Sequence, residues 1–230
     1  MYLATYHYPP MKLPHGIHDF QELVKKGFYY IDRTPYIEKL ERSKDRLVLF
    51  RRPNGFDRKL FISMLGYYYG IQYRSKFETL FKRYYIGQKK TAQANQYQIL
   101  AFDLCNLDLV NLQKTEQTLT HSVKKGIEAF LRQYKNIPNG KQNSTLVNDG
   151  FEKMLTTFLH SCAEYNIYLF LDDAQGLISD IADPGTRYSP FNLVTRSLIT
   201  RFFRIIERGL SQGIIGRILS LGIDESHDRD

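Results

Sequence analysis

The stretch from Arg46 to Leu65, RLVLFRRPNGFDRKLFISML, limits the fold more than any other part of the chain. Leu47, Val48, Leu49 and Phe50 form a short apolar run of the kind a buried parallel strand requires. Arg51 to Asp57 interrupt the apolar pattern, with Pro53, Asn54 and Gly55 as turn residues. From Arg58 onward, Leu60, Phe61, Met64 and Leu65 recur at helical spacing. A strand, a tight basic loop and a helix, in that order, make the layout of a phosphate-binding loop. In such a loop the free N–H groups at the helix start face an anion, and a cationic side chain neutralises it. The positions that would contact the anion here are Arg52, Asn54, Gly55, Arg58 and Lys59. The standard loop reads G-x-x-x-x-G-K-S/T, and this chain does not contain it. A plain surface turn between a strand and a helix has the same local pattern.

Two further apolar runs end in acids. Ile167 to Gln175 reads IYLFLDDAQ, the form of a Walker B strand. Its first acid, Asp172, is placed to hold Mg²⁺, and its second, Asp173, to orient an attacking water. Asp173 stands where many ATPases have Glu and is one methylene shorter. Ile99 to Leu104, ILAFDL, is a second candidate strand, with Asp103 at its carboxyl end. Ligands bind at that end of strands in open α/β sheets, which makes Asp103 a second candidate metal ligand. The alternative role for Asp103 is to cap the loop that follows.

Residues 1–11 read as a loose tail, with Pro9 and Pro10 opposing regular structure. Asp19 is placed to cap a short helix that Gly27 ends, Phe28 to Ile31 reads as a short strand, and Thr34 with Pro35 opens another helix. Apolar periodicity predicts helices over 112–134, 151–165 and 191–210, and a last strand in Arg217 to Ile223. Strands alternating with helices argue for an α/β fold with a mainly parallel sheet. One domain over 12–225 and a tail over 226–230 account for the rest.

Several segments, in order, resemble the AAA-ATPase-like family of bacterial proteins, whose members are often joined to a PD-(D/E)XK nuclease-like domain. Leu13, Pro14, Gly16 and Phe20 match the family's opening segment, and Tyr30, Asp32, Arg33 and Thr34 resemble its Tyr-x-Asp-Lys-Thr. Arg52, Pro53, Phe56 and Leu60 match its loop, R-P-R-R-F-G-K-S-L. Gly70, Phe77, Leu80, Phe81 and Ile86 fit its next register as core positions of a helical hairpin, and Asp172 matches the first acid of its I-D-E-Y-D. The resemblance implies a P-loop NTPase-like three-layer sandwich that binds ATP and Mg²⁺. The chain departs from the pattern at four site positions: Asp57 for Gly, Lys59 for Ser, Asp173 for Glu and Leu221 for a phosphate-sensing Thr. Arg58 takes the place of the loop lysine. A carboxylate at position 57 repels phosphate, and Lys59 cannot offer Mg²⁺ a hydroxyl.

Three readings of function follow. The first is a degenerate ATPase-like domain with an interaction or regulatory role. The second is a working ATPase in which Arg58 or Lys59 does the work of the loop lysine. The third is a nucleic-acid-binding module. The formal net charge of +8 supports the third, with Arg51, Arg52, Arg58, Lys59, Lys82 and Arg83 as the cationic cluster. A protein partner is the alternative to nucleic acid. The arginines at 196, 201, 204 and 208 offer either an arginine finger or a solvated face. No apolar run is long enough to span a bilayer and no leader pattern opens the chain, so a cytoplasmic location is expected. Cys105 and Cys162 lack metal-ligand spacing and are expected to be reduced and packed among apolar residues.

Overall fold

In the computed structural model, four strands pair side by side, all parallel. Residues 12–52, 57–105, 107–108, 110–134, 149–174 and 193–223 are described. The strands are β1 (Leu47–Arg52), β2 (Gln98–Asp103), β3 (Ile167–Asp172) and β4 (Ile215–Ile223). Their order in the sheet is β1-β4-β3-β2. Five α-helices belong to one side of the sheet: α1 (Phe20–Lys25), α2 (Pro35–Arg42), α3 (Arg58–Tyr69), α4 (Phe77–Phe81) and α5 (Tyr85–Gln88). The other side carries α6 (Leu112–Gln133), α7 (Phe151–Ser161) and α8 (Leu193–Ser211).

Side-chain alternation along the strands divides the core into two layers. Tyr168, Phe170, Leu219 and Leu221 join the cluster of α1 to α5. Leu100, Phe102, Leu169, Leu171 and Ile218 join the cluster of α6, α7 and α8. β3 is buried along its whole length, as an apolar run between two helical layers must be. The expected three-layer α/β arrangement, consistent with a P-loop-like fold, is therefore present.

The chain crosses the sheet once through α3, from β1 to β2, and then returns through helices on the opposite face. That reversal opens a crevice at the carboxyl ends of the strands. It also leaves β1 at an edge, and Leu47 and Leu49 are 43% and 45% exposed rather than buried. Among the described residues, only the face of β1 bearing Val48 and Phe50 packs against helices, through contacts such as Phe50 with Phe61.

Local expectations divide. Asp19 caps α1 by accepting from the Glu22 N–H at 2.7 Å, and Gly27 follows with φ +66°. Phe28 to Ile31 is not a strand. Tyr29 donates to the Lys12 carbonyl, and Tyr30 packs edge-on against Phe20 and Tyr84, so aromatic packing explains its apolar character. Pro35 opens α2, but the Thr34 hydroxyl makes no cap. It donates to Asp32 and accepts from the Ile86 N–H, tying α2 to α5. The expected helical hairpin after Gly70 is a 3-10 turn followed by two short helices, although Phe77, Leu80, Phe81 and Ile86 are buried as expected.

Candidate functional site

Strand register sets the candidate residues side by side. Asp103 pairs with Asp172, Asp172 with Leu221, and Leu221 with Phe50, all near the carboxyl ends of their strands. Position 172 is the last of β3, where the alternation ends and a polar side chain can leave the core. Asp173 follows with φ +64°, a left-handed turn that Asp tolerates better than most residues. Its N–H donates to the Leu221 carbonyl at 2.9 Å, which fixes that turn to β4.

The start of α3 is built by Asp57 and Arg58. The Asp57 carboxylate accepts from the Leu60 N–H at 2.9 Å, so it is the N-cap of the helix. His18 Nδ1 lies 3.1 Å from the other Asp57 oxygen. The helix start thus already carries an anion, the carboxylate of the chain itself. Arg58, one residue on, turns toward β3. Its Nε lies 2.8 Å from Asp172 Oδ1 and its Nη1 lies 3.5 Å from Asp173 Oδ1. Its Nη2 donates to Cys105 Sγ at 2.7 Å. The side chains of Arg58 and Asp172 are only 15% and 12% exposed, so this pair is well screened from water. Burial alone lowers an arginine's pKa. Asp172, Cys105, Asp173 and Asp103 outweigh it, and Arg58 is held above its ordinary value.

Asp103 is exposed, and its carboxylate accepts from the Cys105 N–H at 3.1 Å. It therefore caps the loop after β2, the plainer of its two expected roles. Burial pushes Asp103 up, but the Cys105 thiol and N–H, then Arg58 and Lys59, outweigh this and hold it below the usual carboxylate value. Cys105 is not packed among apolar residues as expected. It is half-buried between Arg58, Asp103 and Asp172, and burial together with the two carboxylates pushes its thiol up to about 12. Cys162 does lie in the core, fully buried. No spacing rule in the sequence marks Cys105 or His18 as neighbours of the site.

Of the expected anion contacts, Asn54 and Gly55 lie outside the described residues, as do Pro53 and Phe56. Arg52 ends β1 opposite Ile223, and its side chain is likewise outside them. Lys59 does not join Arg58; it is exposed and lines a groove between α3 and α6. Leu221 is fully buried against the α1–α5 layer, with no polar atom to sense a phosphate. Asp103, Cys105 and Asp172 hold their ligand atoms within 4.8 Å of one another, a spacing that suits a metal ion. Arg58 contacts two of those three groups. Among the described residues, a carboxylate holds the start of α3 and a guanidinium holds the acids.

A comparison with protein families matches the family described as "Predicted AAA-ATPase" over residues 14–228. No curated protein and no solved structure matches the chain.

Proposed function

The chain belongs to the AAA-ATPase-like family, and from that premise we propose that its nucleotide site is closed on itself. The domain then acts as an interaction or regulatory module and not as an ATPase. The observation that carries this reading is the Arg58 cluster. A cation fixed by Asp172 and Asp173 stands in for the metal, and an N-capping Asp57 stands in for the phosphate. Phosphoryl transfer is catalysed by positioning and electrostatics, so donors and acids already satisfied internally are lost to it. The test is phosphate release from ATP by purified protein, run beside Asp172→Ala. Both should stay at background. Turnover well above background that disappears in Asp172→Ala overturns the reading. In the variant Asp57→Gly, Arg58→Lys, Lys59→Ser, nucleotide affinity should rise, because the internal anion and the wide guanidinium are both removed.

A second reading, a surface for polyanions, is favoured by one observation. Lys153 on α7 and Arg201, Arg204 and Arg208 on α8 line an open groove of about 370 Å³. It lies in the helical layer opposite α3, so the two readings do not compete for residues.

A further inference from the structure

α6 runs along the outer edge of β2 and leaves a trough between itself and α3. The Ser122 hydroxyl donates to the Asp103 carbonyl, and the Tyr134 hydroxyl accepts from the Ile99 N–H at 2.9 Å. Between these ties Gly126 lies so close to β2 that an added Cβ would stand 2.4 Å from the Ala101 oxygen. The helix is thus held against the strand, and the small residues Ala101, Gly126 and Ala129 are among those that line the space beside it. The trough holds about 510 Å³ beside Asp103 and Asp172. A second cavity of about 250 Å³ shares Ala101, Gly126 and Ala129 with it and continues toward Tyr67 and Tyr73.

We infer that this trough is a binding site for a small anionic ligand with a flat apolar body. Its size is that of small-molecule sites in general, which run to roughly 300–1,000 Å³. The floor is apolar: Ala101 is exposed there, over Phe102 and Phe170, which are almost fully buried. Lys59 comes from the α3 wall, and His121 and Lys125 come from the α6 wall. Among the described residues neither lysine makes an ion pair, although Lys59 acts at longer range on Asp103. Asp172 at the end of the trough is already matched by Arg58, which leaves Asp103, among the described residues that line it, as the acid facing the three basic side chains. An anion between the two walls meets a cation from each side, while a ring covers the floor. The site lies beside the candidate nucleotide site, shares Lys59, Asp103 and Asp172 with it, and rests in part on the Arg58–Asp172 pair of the reading proposed above.

The probe is 8-anilinonaphthalene-1-sulfonate, an aromatic anion that fluoresces in apolar surroundings. The folded protein should bind it saturably, at one site, more weakly as salt rises. Ala129 is exposed on α6, so Ala129→Phe fills the trough without entering the core; Ala101→Leu fills it from the strand. Either variant, with its unfolding temperature retained, should bind at least about tenfold more weakly. Lys59→Gln with Lys125→Gln should weaken the sulfonate about fivefold or more, as two lost exposed charges allow, and leave uncharged N-phenyl-1-naphthylamine almost unchanged. Arg42→Gln, at the exposed end of α2 and away from the trough, is the control and should change nothing. No saturable binding, or equal binding by wild type and both filled variants, overturns the site. Unchanged sulfonate binding in the double lysine variant overturns the anionic ligand.

Discussion

The guanidinium of Arg58 reaches acceptors at the ends of two strands, and removing one of them leaves a screened charge without its main partner. Asp172→Ala should therefore cost about 1–3 kcal/mol in denaturant unfolding, and the loss should shrink when Arg58→Met is added. Equal losses in both backgrounds would show that the pair does not interact. Asp103 adds a pH dependence of definite sign. Its folded value lies below the ordinary carboxylate value, so its charged form contributes stability above about pH 4, lost as pH falls through the lowered value. Asp103→Asn should flatten that acid limb. Cys105 behaves in the opposite sense. With its thiol at about 12, native Cys105 should react with iodoacetamide at pH 8 about a thousandfold more slowly than in the unfolded chain. Comparable rates would mean that the thiol is not held by its acidic neighbours. Asp103 and Asp172 were legible in the sequence because each ends an apolar run. Their tie to Arg58 was not, because it joins positions 58 and 172 through the sheet order, which no local pattern encodes.

At the scale of the element, two helical glycines should respond with opposite signs. Gly66 in α3 has nothing within 4 Å of an added Cβ, so Gly66→Ala should stabilise the protein by up to about 1 kcal/mol through helix propensity. Gly126→Ala gains the same propensity but drives its Cβ into the Ala101 oxygen and the Phe102 ring, and should destabilise by about 1–3 kcal/mol. Thermal or denaturant unfolding of the two variants checks this, and equal signs would mean that α6 does not lie against β2 as described. Leu171, only 1% exposed in the central β3, should cost about 2–5 kcal/mol as Leu171→Ala. The strands and long helices were legible because period-2 and period-3.6 apolar patterns are strong over these lengths. Phe28 to Ile31 misled because aromatic residues packing under a short helix have the composition of a strand. The exposure of Leu47 and Leu49 was hidden for another reason: an apolar run does not say whether its strand is central or at an edge.

For the whole molecule, the net charge of +8 is a statement about partners, and the structure redistributes it. Arg58 is matched by internal acids, so the cationic cluster expected from the sequence loses its member nearest the site. Arg201 pairs with Glu152 at 2.8 Å, but Arg204, Arg208 and Lys153 share the same groove, and Lys153 reaches Asp149 only from an exposed position. Exposed pairs of this kind are weak and exchange readily for phosphate. We therefore expect sequence-independent, salt-sensitive binding of a mixed-sequence single-stranded oligonucleotide at low salt, with the α7–α8 groove as its main contact. Each phosphate neutralised adds about 0.7 to the slope of log affinity against log salt. Arg204→Gln with Arg208→Gln should lower that slope by about 1–2 and weaken low-salt binding. Arg58→Gln should leave the slope unchanged, because that charge is already held by Asp172. Absence of binding at low salt removes the polyanion surface altogether. A slope that falls in Arg58→Gln and not in the groove variant would place the contact at the strand ends, and the Arg58 cluster would then have to open to admit it.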